Sequence, residues 1–230
     1  MLYFVHGLNG NPMDWKQSID FFSKQDLAAE AIDLRKGKDL KKTHLNDYIE
    51  TVRKKVTRED ILIGHSMGGL IVQKVAESTK IQAGICLCSA PPADITFNVM
   101  SLGHLKYIPF ILFNRPFKVS YKISKHLLFN CLSDQQAKKA YDRLHKESAK
   151  VTYEVTKNKT MVDEQKIKTS LFFIAAENDH ACPPDLVKRI AAKYNASVKI
   201  VSGCHYIFAN IDPIHEEILT ILKKIKYQKQ

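Results

Sequence analysis

The sequence of 230 residues has no Cys-x-x-Cys pair, no internal repeat and no low-complexity tract, and only 9 glycines and 8 prolines interrupt it. Those absences argue against a metal-binding knuckle, a solenoid and a disordered chain. Long hydrophobic runs are missing too. The longest nearly apolar stretch, Ile108 to Phe113, is far too short to span a bilayer. Before the first apolar segment, Leu2 to Val5, there is no basic region, signal-like core or small-residue cleavage site. The five cysteines, Cys86, Cys88, Cys131, Cys182 and Cys204, are an odd number, and two fall in an apolar strand pattern. They read as buried, reduced thiols rather than disulfides. The expectation is a cytoplasmic protein without stable membrane insertion.

What remains is a globular composition. Hydrophobic residues make up 45% of the chain, and the length is enough for one sizeable core. Lys and Arg total 35 against 24 Asp and Glu, a formal net charge of +11. Such a balance can attract nucleic acid, anionic lipid or an acidic substrate. The lysines are dispersed, with modest clusters at Lys36 to Lys42 and Lys223 to Lys229, and no nucleic-acid motif accompanies them. Nucleic-acid binding is therefore not expected.

Taken in order, the chain alternates between two periodicities. Leu2 to Val5 reads as a strand, His6 to Pro12 as a glycine-containing loop, and Trp15, Ile19 and Phe22 as one face of a helix. Ala28 to Leu34 predicts a second strand, and Leu45, Tyr48, Ile49 and Val52 a second helix. A third strand begins at Ile61, ends at Ser66 and runs into an apolar helix from Met67 to Ser78, followed by a fourth strand at Ile81 to Cys88. Strand and helix in alternation predict a layered, mostly parallel sheet.

After Pro92 the alternation stops. Residues 94–168 read as helical throughout, with Phe97 to Phe113, Tyr121 to Asn130 and Asp134 to Lys146 as separable pieces and a capping box at Ser133 and Gln136. So long a segment is a helical cap inserted in a core formed by residues 1–93 and 169–230. The α/β rhythm resumes with a strand at Leu171 to Ala176, a helix at Pro184 to Tyr194, a strand at Ser197 to Val201 and a helix at Asp212 to Lys226, for six strands in all.

The chemistry centres on Gly64-His65-Ser66-Met67-Gly68. A Gly-x-Ser-x-Gly pattern between strand and helix suits a strained turn that lifts the serine Oγ out of the sheet, with the Met67 N–H free at the helix start. A serine hydroxyl needs a base, and the base an orienting carboxylate. Loops at the carboxyl ends of parallel strands converge on one crevice. Asp179 and His205 follow the fifth and sixth strands, and the Leu8 N–H follows the first. Ser66 as nucleophile, His205 as base, Asp179 as acid, and Leu8 and Met67 as oxyanion donors is the resulting assignment. Ser66 as a helix N-cap, Asp179 as the cap of the helix near Pro183-Pro184, and Asp94 as a rival acid are the competing readings. His6 and His65 read as shaping residues, His180 as pointing away, and Cys204 as a packing residue.

At these residues the chain resembles the α/β-hydrolase family over nearly its whole length. The oxyanion motif corresponds to His6-Gly7-Leu8, the nucleophile elbow to Gly64 through Gly68, the acid to Asp179 and the histidine loop to Gly203-Cys204-His205. The family's usual helical insertion corresponds to the segment from Asp94 to Lys168. Two departures stand out: the usual antiparallel opening pair of strands is missing, which leaves Ala28 to Leu34 at the sheet edge, and no glycine precedes Asp179. The resemblance implies a serine esterase or lipase-like hydrolase with no metal or organic cofactor. The apolar residues from Val99 to Leu102 and from Tyr107 to Phe113 either pack the cap onto the core or receive an apolar acyl chain. A lyase, an acyltransferase or a small-molecule receptor on the same scaffold is the alternative function.

Overall fold

The computed structural model describes residues 1–96 and 106–227, with the side chains of the last two helical residues excepted. Six parallel strands form one sheet in the order β2-β1-β3-β4-β5-β6. They are β1 (Leu2–Val5), β2 (Ala29–Ile32), β3 (Ile61–His65), β4 (Ala83–Leu87), β5 (Ser170–Ala176) and β6 (Val198–Val201). Helices α1 (Lys16–Ser23), α2 (Leu45–Arg53), α3 (Met67–Ser78), α8 (Pro184–Lys193) and α9 (Asp212–Tyr227) flank it.

Side chains alternate between the two faces of each strand. Tyr3, Val5 and Leu62 join the core beneath α2, α3 and α8. Leu2, Phe4, Ile61 and Ile63 join the core beneath α1 and α9. Coverage on both sides explains why β3 and β4 read as continuous apolar runs rather than alternating ones. Burying one side chain such as Phe4 stabilises the fold by roughly 1.5–3 kcal/mol. The second strand lies at the edge of this sheet, and its Glu30 pairs with Lys55.

The chain passes from β1 to β2 on one side and then returns across β1 to β3, so the connection reverses direction between β1 and β3. In registers such as Val5 with Gly64, His65 with Leu87, and Ala176 with Val201, the carboxyl ends line up along one rim. The loop after β1 and the start of α3 meet at that reversal, where open α/β sheets form their crevice.

Among the described residues four α-helices intervene between β4 and β5: α4 (Ile108–Leu112), α5 (Tyr121–Leu127), α6 (Asp134–Asp142) and α7 (Ala149–Thr156). They are shorter than their periodicity suggests, and the N-terminal part of the segment from Phe97 to Phe113, with Val99 to Leu102, lies outside the described residues. The capping box of Ser133 and Gln136 starts α6. An antiparallel bridge joins Phe117 to Glu147. Glu147, fully buried, accepts hydrogen bonds from Arg35 at 2.9 Å and from the Tyr48 hydroxyl at 2.6 Å, which anchors this segment to the core. A lone carboxylate in that position would be strongly unfavourable, so the three side chains stand together.

Candidate active site

Ser66 occupies the strand-to-helix turn with φ 56° and ψ −118°, a left-handed conformation that costs a non-glycine residue on the order of 1–3 kcal/mol. Its N–H is held by the Leu87 carbonyl at 2.9 Å, and its carbonyl accepts from Gly69 at 2.9 Å and Ala90 at 3.0 Å. The two flanking glycines are steric necessities. A Cβ on Gly64 would run into the Gly68 carbonyl, and one on Gly68 into the Val5 carbonyl. The Ser66 side chain makes no helix-capping bond. It meets His205 Nε2 at 2.9 Å instead, which removes the N-cap reading.

His205 lies in the loop after β6, and its Nδ1 is 2.8 Å from Asp179 Oδ2. That contact fixes the tautomer: Nδ1–H donates to the carboxylate, and Nε2 is left to accept from the serine hydroxyl. The other oxygen, Asp179 Oδ1, accepts from the N–H groups of Ala181 at 2.8 Å and Cys182 at 2.7 Å. Burial alone would raise the Asp179 pKa, but the His205 imidazole and these backbone donors more than offset it and hold the carboxyl below its usual range. Asp179 does not cap α8, whose N-cap is Pro183. The rival Asp94 is committed to Lys193 at 2.5 Å.

Beside Ser66, neither the Leu8 nor the Met67 backbone N–H has an acceptor among the described residues. Asn9 holds the Leu8 loop, with φ 58°. Its amide donates to the Phe117 carbonyl at 3.2 Å and the His145 carbonyl at 2.8 Å, and its own carbonyl accepts from the His145 N–H at 2.8 Å. Sequence reading passed over Asn9, although asparagine in a glycine-containing loop is a recognised left-handed position.

His6 and His65 are buried and stay neutral, each lowered to about 3 by desolvation first, and then by Arg35 for His6 and by His205 for His65. His65 Nε2 donates to the His205 carbonyl at 2.8 Å. His180 is exposed and bonds the His126 carbonyl instead. His215 sits in α9 against Ser18. Cys88 lies behind the acid, and its thiol, the Asp179 carboxylate and a His205 nitrogen fall within 4.8 Å of one another. Burial and the Asp179 charge keep that thiol protonated, and the imidazole is engaged by Ser66. The cluster thus supports the carboxylate and does not offer a metal three free ligands.

The cysteine expectation needs correcting. Cys131 and Cys204 form a disulfide with a Cα–Cα distance of 5.7 Å, across a separation of 73 residues. Cys204 is therefore not a simple packing residue, and only Cys86, Cys88 and Cys182 are free thiols. The bridge joins the connection after α5 to the loop carrying His205. The same connection accepts the Tyr206 N–H at the Leu128 carbonyl, and Asn130 donates to the Asn178 carbonyl.

A cavity of about 450 Å³ opens on Ser66 and His205. Leu8, Ile111, Phe117, Val119, Ile123 and Leu128 are among the side chains that make it predominantly apolar. Tyr107 and Phe117 pack inward at the base of α4, whereas Ile108, Phe110, Leu112 and Phe113 remain exposed, so packing onto the core accounts for only part of that apolar run.

A parallel sheet with its Gly-x-Ser-x-Gly turn at the reversal of connection, and an aspartate and a histidine after β5 and β6, has the arrangement of an α/β-hydrolase fold. The profile of the alpha/beta hydrolase family matches residues 2–216. The chain belongs to that family. An extracellular alpha/beta-hydrolase from a Paenibacillus species, described as sharing structural and functional homology with tobacco salicylic acid binding protein 2, superposes with a TM-score of 0.77 at 17% identity, covering 95% of this chain and 97% of that one. Polyneuridine aldehyde esterase superposes with a TM-score of 0.71 at 17% identity over 96% and 98%. Tomato methylketone synthase I complexed with 2-tridecanone gives 0.72 at 16% identity over 97% and 98%. No curated protein sequence matches the chain. Among the described residues no helix is long and apolar enough to cross a membrane.

Proposed function

We propose that the chain is a serine hydrolase that cleaves carboxylic esters with an apolar acyl part, thioesters being open to the same chemistry. The carrying observation is the continuous line from Ser66 through His205 to Asp179, at 2.9 Å and 2.8 Å, facing an apolar cavity. His205 Nε2 takes the hydroxyl proton as Ser66 Oγ attacks the ester carbonyl. The negative charge that develops on the carbonyl oxygen is received by the Leu8 and Met67 N–H groups, and Asp179 stabilises the imidazolium. Protonated His205 then passes its proton to the leaving alcohol. A water deprotonated by the same nitrogen releases the acid and restores Ser66. These steps call for neither a metal nor an organic cofactor.

On this reading residues 94–168 act as a cap that selects the acyl group, over a core of residues 1–93 and 169–230. A disulfide joining them suits an oxidising compartment better than the cytoplasm. The 2-tridecanone bound by the tomato relative favours a long apolar ligand, and it also keeps a non-hydrolytic reading, a lyase, an acyltransferase or a receptor, in view.

Labelling with a fluorophosphonate, followed by turnover of p-nitrophenyl esters of increasing acyl length, separates these readings. Rapid labelling that Ser66→Ala abolishes, together with ester turnover, supports the hydrolase. Labelling at Ser66 with negligible turnover of every ester favours the receptor, and wild-type turnover in Ser66→Ala sinks the mechanism.

A further inference from the structure

Helix α4 turns most of its apolar side chains outward. Leu112 and Phe113 are 71% and 69% exposed, and Ile108 and Phe110 are exposed beside them. Four of the exposed large apolar residues thus fall within six consecutive positions. Exposing that much carbon to water is costly, and such a patch marks an interaction surface.

Its flanking sequence carries charge of one sign. From Ile95 to Ser133 the sequence has no Asp or Glu and carries Lys106, Arg115, Lys118, Lys122 and Lys125. Lys125 pairs with Asp134, but among the described residues none of the other four has a carboxylate partner. The Arg115 guanidinium lies 5.9 Å from the Phe113 ring centre, and Lys106 Nζ 5.3 Å from that of Tyr107, so charge and apolar surface are interleaved. Ile108 and Leu112 both line the cavity and stand in solvent, which puts this surface at the cavity's rim.

We infer that α4 and its basic flank form a docking surface for an anionic lipid membrane, on which the protein rests peripherally with the cavity rim facing the acyl region. The apolar side chains enter the interface, and Lys106, Arg115 and Lys122 meet lipid phosphates. Five residues of helix are far too few to span a bilayer, so attachment is reversible. The inference goes beyond ester hydrolysis and is independent of it, because membrane partition is measured without turnover.

The test is co-sedimentation of the whole chain with vesicles of phosphatidylcholine alone or with a third phosphatidylglycerol. The protein is expected to partition onto the anionic vesicles and to be released by high salt. Phe113→Ser and Arg115→Glu, both at exposed positions outside the cavity, should each weaken partition, the charge reversal by about tenfold or more. Both variants should keep the wild-type melting temperature and wild-type turnover of a soluble short-chain ester. Lys122→Glu, on α5, supplies a second variant on a separate helix. Absence of partition onto anionic vesicles at low salt, or partition that all three variants leave unchanged, overturns the inference. So does a dimer that Phe113→Ser dissociates in a protein that ignores vesicles, since α4 would then be covered by a second copy.

Discussion

Nε2 of His65 donates a hydrogen bond to the main-chain carbonyl of His205 at 2.8 Å, with the two rings 4.8 Å apart. The residue immediately before Ser66 therefore holds the backbone of the residue that approaches Ser66 from the other strand. His65→Leu removes that donor and should lower kcat by roughly ten- to a hundredfold through misplacement of the imidazole, with a smaller change in KM. His65→Gln keeps a donor of similar reach and should recover most of the rate. Equal activity of the two variants would show that the contact positions nothing.

Asp179→Asn tests the acid. An amide cannot stabilise an imidazolium, and its NH2 group can drive His205 into the wrong tautomer. A fall in kcat of about 10⁴ is expected on the best ester, with fluorophosphonate labelling slowed in parallel.

Acid stability follows from buried His6 and His65. Their values are lowered to about 3, against about 6.5 when unfolded. Above pH 6.5 both states are neutral there and stability is complete. As pH falls from about 6.5 towards 3, only the unfolded chain takes up the protons, so stability is lost at up to about 1.4 kcal/mol per pH unit for each histidine. Asp179, held below its usual range, adds a loss at still lower pH. Urea melts across this window should show the slope, and His65→Gln should reduce it. A pH-independent midpoint between 6 and 4 would refute the assignment.

Ile123→Trp fills part of the apolar cavity without touching the hydrogen-bonded line. The preferred acyl chain should shorten, and each methylene displaced should cost about 0.8 kcal/mol, or near fourfold in kcat/KM. An unchanged chain-length profile would place the acyl group elsewhere.

Reducing the Cys131–Cys204 bridge, or substituting Cys131→Ser, should lower stability by about 2–5 kcal/mol, because a loop of some seventy residues gains freedom when unfolded. Thermal melts with and without reductant measure it, and coincident melts would mean that the bridge contributes nothing.

The sheet was legible because its signals are local. Apolar runs such as Ile61 to Ile63, bounded by turn residues, read as strands, and the glycines about Ser66 announce a backbone conformation that few residues adopt. The convergence of Ser66, Asp179 and His205 was legible at one remove, through the rule that strand ends share a rim. The pairing of Cys131 with Cys204 was not, since nothing near either cysteine signals a partner 73 positions away. For the same reason the Arg35, Glu147 and Tyr48 cluster could not be read, and Asn9 passed for an ordinary loop residue. The segment between β4 and β5 read as helical, but its helix ends depend on contacts with the core that periodicity does not contain.

The Cys131–Cys204 bond also limits what can be exchanged between relatives. A segment grafted from another family member in place of residues 94–168 would strand Cys204 as a lone thiol beside His205, and would leave Asn9 and Glu147's partners facing strangers. Residues 94–168 are thus not a detachable module: exchanging them by transplant means carrying one half of a covalent bond and two sets of hydrogen-bonding partners along with the new helices.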